Sequence, residues 1–115
     1  MGNSHDDEVL VQALAYSRSG YYVQADHLGD CWKKPDVIDG RRRCRPDVVA
    51  WKAGECIIVE VESFKSLAKE HTKNQVEIFE KFAQERPHTE FRLVVIYSSR
   101  FDRLPDMFHT TSFES

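Results

Sequence analysis

The sequence predicts a mixed α/β domain with a central sheet flanked by helices, in the order α-β-β-β-α-β. Three observations lead there. Residues 47–51 and 55–62 are two strand-length runs, apolar on both faces, as in central strands covered on each side. Residues 65–86 repeat apolar side chains at helical spacing. A shorter helical segment comes before them, and a further buried-type strand follows. The 115 residues are 41% hydrophobic and 30% charged, which suits one hydrophobic core in a chain that folds and stays soluble. The chain therefore reads as a single domain, 1–115, with its core at about 6–97 and a tail, 98–115, to which no element is assigned.

The first helix opens on Asn3 and Ser4, which are N-cap residue types, followed by the acidic first turn of Asp6, Asp7 and Glu8. Val9, Leu10, Ala13, Leu14 and Ser17 recur at helical spacing, and Gly20 ends the segment. Residues 21–25, Tyr-Tyr-Val-Gln-Ala, are aromatic and β-branched and read as a strand. Residues 26–46 read mostly as loop, punctuated by Gly29, Pro35, Gly40 and Pro46, with a short strand at 36–38 as an option. Ala53-Gly54 joins the two central runs. In the helix at 65–86, Leu67, His71, Gln75, Ile78, Phe79 and Phe82 share one face, and Pro87 stops it. Phe91 to Tyr97 is the last strand. Trp32, Trp51 and the phenylalanines read as core.

Several function classes are disfavoured. No apolar run reaches the roughly 18 residues a membrane span needs. The acidic N-terminus lacks the basic-then-apolar order of a signal peptide, so a cytoplasmic protein is expected. Cys31, Cys44 and Cys56 include no Cys-x-x-Cys pair, which argues against a disulfide scaffold or thiolate zinc site. A zinc-structured domain built on Cys31, Cys44 and His27 is the residual option, and Cys56 reads as a small core residue. The net charge of −3 argues against a protein that coats nucleic acid. Its distribution says more: residues 31–52 carry +4 between two acidic flanks, which suggests one local contact with an anion such as a phosphate backbone.

The functional argument turns on Asp47, Glu60 and Glu62. A hairpin with a two-residue loop at Ala53-Gly54 pairs residues whose numbers sum to 107. Asp47 then faces Glu60 with Cβ atoms about 5 Å apart. Glu62, two residues on, points to the same face. Like charges placed opposite one another destabilise a sheet unless something compensates, and a divalent cation does so with oxygen ligands. Mg²⁺ or Mn²⁺ is the expected cofactor, because phosphodiester hydrolysis needs an ion to polarise the phosphate and activate water. Gln75 and His71 lie toward the helix end beside these acids. Gln75 reads either as a hydrogen-bonding partner of substrate phosphate or water, or as a polar residue satisfied at the helix end.

Arg45-Pro46-Asp47, twelve further residues, then Glu60-Val61-Glu62 resembles the PD-(D/E)XK nuclease superfamily, which includes restriction endonucleases and Holliday-junction resolvases. The resemblance spans about residues 6–97 and takes in the helix bearing His71-Thr72-Lys73-Asn74-Gln75. It implies a restriction-endonuclease-like fold and a metal-dependent DNA endonuclease, with Asp47 and Glu60 as metal ligands. Glu62, the third ligand or the orienter of water, replaces the usual Lys. Some members with Glu at that position remain active, whereas others have lost both the Lys and the activity. Lys65 offers a nearby ammonium. Asp7 or Glu8 matches the auxiliary acid of some branches: helical spacing favours Asp7, the family pattern Glu8. Arg41, Arg42, Arg43 and Arg45 are the expected phosphate contacts. A chain this small implies a homodimer or a subunit of a larger complex on DNA, with no membrane involved. The rival expectation is a catalytically inactive nuclease-fold module that binds DNA or protein.

Overall fold

The computed structural model describes residues 4–39 and 43–97. Arg41 and Arg42, and the tail from residue 98, lie outside the described residues. The chain begins with α1 (Ser4–Arg18) and β1 (Tyr22–Ala25). Two short strands follow, β2 (Ile38–Asp39) and β3 (Arg43–Cys44), which pair only with each other. Then come β4 (Val48–Lys52), β5 (Glu55–Ser63), a 3₁₀ turn (Ser66–Ala68), α2 (Glu70–Gln84) and β6 (Thr89–Ile96). The main sheet runs β1-β4-β5-β6, antiparallel except for the β5–β6 pair. A parallel pair needs a crossover, and α2 supplies it.

Helix α1 carries Asp6 and Asp7 in its first turn and Arg18 in its last, each complementing the local end of the helix dipole. It ends in a Schellman motif. The Tyr21 N–H donates to the Tyr16 carbonyl at 3.0 Å and the Gly20 N–H to the Ser17 carbonyl at 3.1 Å. Gly20 takes φ +92°, which a side chain would strain. The rings of Tyr16 and Tyr21 meet edge-on at 5.3 Å and complete the motif's apolar contact.

The β4–β5 hairpin turns on Ala53 (φ +52°) and Gly54 (φ +84°). Two left-handed residues give the strand twist a two-residue turn can follow. Lys52 therefore pairs with Glu55 and Val48 with Val59, the register that sums to 107.

Alternation along these strands divides the core. Val48, Ile57, Val59 and Val61 pack with Val9 and Ala13 of α1 and with Val94. Val49 and Ile58 pack with Ile78, Phe79 and Ala83 of α2 and with Phe91. The sheet thus lies between the two helices, in three layers.

Three expectations are corrected. The helix expected at 65–86 is broken: Lys69 is extended (φ −78°, ψ 140°), so Leu67 lies in the preceding 3₁₀ turn and α2 starts at Glu70. His71 is exposed, and Thr72 is the buried residue in that first turn. Trp51 is 38% exposed and lies against the ring of its cross-strand neighbour Tyr22, 5.6 Å away. Phe64 is likewise exposed and stacks on Tyr97. Among the described residues no helix is long and apolar enough to cross a membrane.

Candidate functional site

Asp47 ends the bend that feeds β4, and the hairpin register extended by one residue sets it opposite Glu60. Both residues are 3% exposed. Their hydrogen bonds cross the strand pair: the Asp47 N–H donates to Glu60 Oε1 at 3.3 Å, and the Val61 N–H donates to Asp47 Oδ2 at 2.8 Å. These two cross-strand amides help hold the two acids where the hairpin register sets them face to face. Glu62 is half-buried one pleat further along β5 and accepts a hydrogen bond from Ser66 Oγ at 2.8 Å. Ser66 is fixed in turn by its N–H to Ser63 Oγ at 3.1 Å.

Burial, then the Asp47 charge, then Glu62 push the Glu60 carboxyl well above the usual glutamate range. A buried carboxyl forced toward its neutral form beside a second carboxylate is a site short of positive charge. A divalent cation fits this donor set, because it favours the ionised form of the Glu60 carboxyl that burial disfavours.

Two imidazoles that the sequence did not place here close the other side of Asp47. His5 Nε2 lies 3.2 Å from Oδ2, and His27 Nε2 lies 3.4 Å from Oδ1. The hydrogen bond to Asp47 raises the His5 pKa to about 9, against the opposing effect of burial. His27 follows β1 with φ +68°, and its N–H donates to Asp26 Oδ1 at 2.9 Å. The Asp26 N–H donates to the Asp47 carbonyl at 2.9 Å, tying that loop to the start of β4.

These shifts set a pH dependence for the metal-free protein. The His5–Asp47 ion pair stabilises fully below about pH 6.5 and is lost as pH rises through about 9. Glu60 acts in the same direction, because a raised carboxyl pKa means that ionising it above its ordinary range costs stability in the fold. In EDTA, melting temperature should fall between about pH 6 and pH 9.5. His5→Gln should remove the His5 share, roughly 1–3 kcal/mol. A His5→Gln profile parallel to the parent's would refute the assignment.

The remaining expected residues fall into two groups. Glu8 is buried on α1, one turn from His5, and accepts from Gln12 Nε2 at 2.8 Å, whereas Asp7 is exposed. Gln75 is half-buried, and among the described residues no hydrogen bond joins it to Asp47, Glu60 or Glu62. Lys65 is exposed. Arg43 is exposed on β3. Arg45 is also exposed, and its guanidinium donates to the Pro35 carbonyl and lies 3.9 Å from Asp26 Oδ2. Cys31 is exposed while Cys44 is buried against α2. No protein-family model matches this chain, and no curated protein is significantly similar to it.

Proposed function

We propose that this protein is a metal-dependent nuclease that hydrolyses phosphodiester bonds of DNA. The supporting observation is the pair of buried carboxylates, Asp47 and Glu60, locked face to face by amides of the opposite strand. Asp47 and Glu60 hold Mg²⁺ or Mn²⁺, with Glu62 as a third oxygen donor or the orienter of water. Asp47 and Glu60 would hold an ion that would supply charge neutralisation at the phosphate and a lowered pKa of the attacking water. Ser66 fixes Oε1 of Glu62, which would orient the attacking water rather than take its proton. The attacking water would lose its proton to solvent as its oxygen bonds to phosphorus, one P–O ester bond would break, and the departing oxygen would be protonated from solvent.

The basic segment supplies the grip on the backbone, with Arg43 exposed for it. Changing Arg41, Arg42 and Arg43 together to Gln should flatten the salt dependence of DNA affinity, by about 0.9 in log–log slope for each phosphate no longer neutralised. An unchanged slope would move the DNA surface elsewhere. The grip and the chain's size favour a homodimer or a place in a larger complex.

A second reading is a non-catalytic DNA- or protein-binding module of the same fold. It is favoured by Glu62 standing where the resembled family has Lys. Cleavage assays with Mg²⁺ and with Mn²⁺ on linear, branched and single-stranded DNA separate the two. Cleavage that EDTA stops supports the nuclease. DNA binding without any metal, and without cleavage under either ion, supports the module.

A further inference from the structure

We propose that His5, His27 and Asp47 form a binding site for a divalent transition cation of the Zn²⁺ class, distinct in ligand chemistry from the carboxylate pair described above. The proposal needs neither DNA nor catalysis, and shares only Asp47 with the nuclease reading.

The first argument is geometric. One ligand atom from each residue lies within 4.8 Å of the others. Ligands bound tetrahedrally at about 2.0–2.1 Å stand roughly 3.3 Å apart. His5 Nε2 lies 3.2 Å from Asp47 Oδ2 and His27 Nε2 lies 3.4 Å from Asp47 Oδ1, so each imidazole reaches the carboxylate at close to that spacing. The rings stand nearly perpendicular, at 86° with centroids 5.1 Å apart, and each sends its Nε2 to the same carboxylate. An ion takes the place of the proton between His5 Nε2 and Asp47.

The second argument is the support around the ligands. A metal-bound histidine usually donates its other ring N–H to a carboxylate or carbonyl, which fixes the tautomer. His5 Nδ1 is 3.0 Å from Asp6 Oδ1, so Nε2 is the nitrogen left for the ion. His27 is held in a left-handed backbone conformation that a β-carbon makes costly, and backbone strain of this kind concentrates at functional positions. Asp26 secures that conformation through the His27 N–H.

The third argument is chemical. Imidazole nitrogen suits Zn²⁺, Co²⁺ or Ni²⁺, whereas Mg²⁺ takes oxygen. Asp47 is buried, but the His5 and His27 side chains are 31% and 44% exposed. Three protein ligands beside solvent leave a fourth position for water or another small donor, the pattern of open zinc sites.

The test is titration of EDTA-stripped, dialysed protein with Co²⁺, read by visible absorption, and with Zn²⁺, read by calorimetry. The expected result is one ion per chain with an intense tetrahedral Co²⁺ band. His27→Asn keeps a residue that tolerates the left-handed backbone and should weaken affinity by more than about a hundredfold, while Asp6→Asn weakens it roughly tenfold. Circular dichroism establishes that each variant is folded. Glu60→Gln should leave the Co²⁺ band in place while abolishing Mg²⁺-dependent cleavage, so loss of the nuclease reading and loss of this site are seen separately. Parental affinity in folded His27→Asn, no stoichiometric binding, or a thiolate-to-cobalt charge-transfer band pointing to the cysteines would each overturn the proposal.

Discussion

Asp47→Ala should abolish the proposed metal-dependent cleavage, whereas Glu62→Lys should leave it within about tenfold of the parent, a barrier change of roughly 1.4 kcal/mol. The asymmetry follows from what each residue touches. Asp47 is bonded to the Val61 amide on one strand, lies against two imidazoles from α1 and the loop after β1, and receives no substitute when it is truncated. Glu60 alone is a poor holder of Mg²⁺, which dehydrates reluctantly. Glu62 is half-buried and is fixed by one hydroxyl, that of Ser66. A lysine there would relieve repulsion with Glu60 and Asp47, and under the nuclease reading its ammonium would stabilise the charge that develops on the phosphate. Against that gain stands the loss of one oxygen ligand and of the acceptor for Ser66. The measurement is single-turnover cleavage at saturating Mn²⁺. Parental rates in Asp47→Ala would remove the carboxylate pair from the mechanism. No cleavage by either the parent or Glu62→Lys, with metal-free DNA binding by both, would transfer the protein to the binding-module reading.

The facing of Asp47 and Glu60 is legible in the sequence because it depends on one local fact. Ala53-Gly54 is the only punctuation between two apolar runs, and a two-residue turn fixes the register of everything that follows. The division of β4 and β5 between two cores is legible for a related reason, since both parities of each run are apolar. The start of α2 is not. Periodicity continues through Leu67, but the Ser63–Ser66 hydrogen bonds and the extended Lys69 close a separate turn first. Periodicity alone therefore puts His71 on the apolar stripe, and the fold leaves it outside. The imidazoles are illegible for a different reason. His5 and His27 are 42 and 20 residues from Asp47 in sequence, in segments whose local pattern says only "helix start" and "loop". The nearest signals are the Asp26-His27 and His5-Asp6 pairs, an acid beside each imidazole. They acquire meaning only when β1 pairs with β4 and α1 packs across both.

Phe79→Ala should destabilise the protein by about 3–5 kcal/mol. The ring is fully buried and packs on Phe91, with centroids 5.9 Å apart, inside the cluster that also holds Val49, Ile58, Ile78 and Ala83. Truncation removes the transfer energy of the ring and leaves a cavity between α2 and the sheet, where Ala83 and Ile78 are too small or too constrained to fill it. Phe82→Ala should cost less, because that ring is half-buried and its open side is covered by the Arg86 guanidinium at 3.5 Å. Against a typical total of about 5–15 kcal/mol, the Phe79 loss is a large fraction, so the urea midpoint should drop with the slope unchanged. The consequence reaches the candidate site. Glu60 alternates with Val59 and Val61 of the α1-side core and so shares the parity of Ile58, the residue that α2 covers. If α2 seals that face, loosening it lets water reach Glu60 and returns its carboxyl toward the ordinary range. Folded Phe79→Ala should then show a weaker fall in stability above the usual glutamate pKa than the parent does. A parental urea midpoint in Phe79→Ala would mean that something other than this ring holds α2 against the sheet.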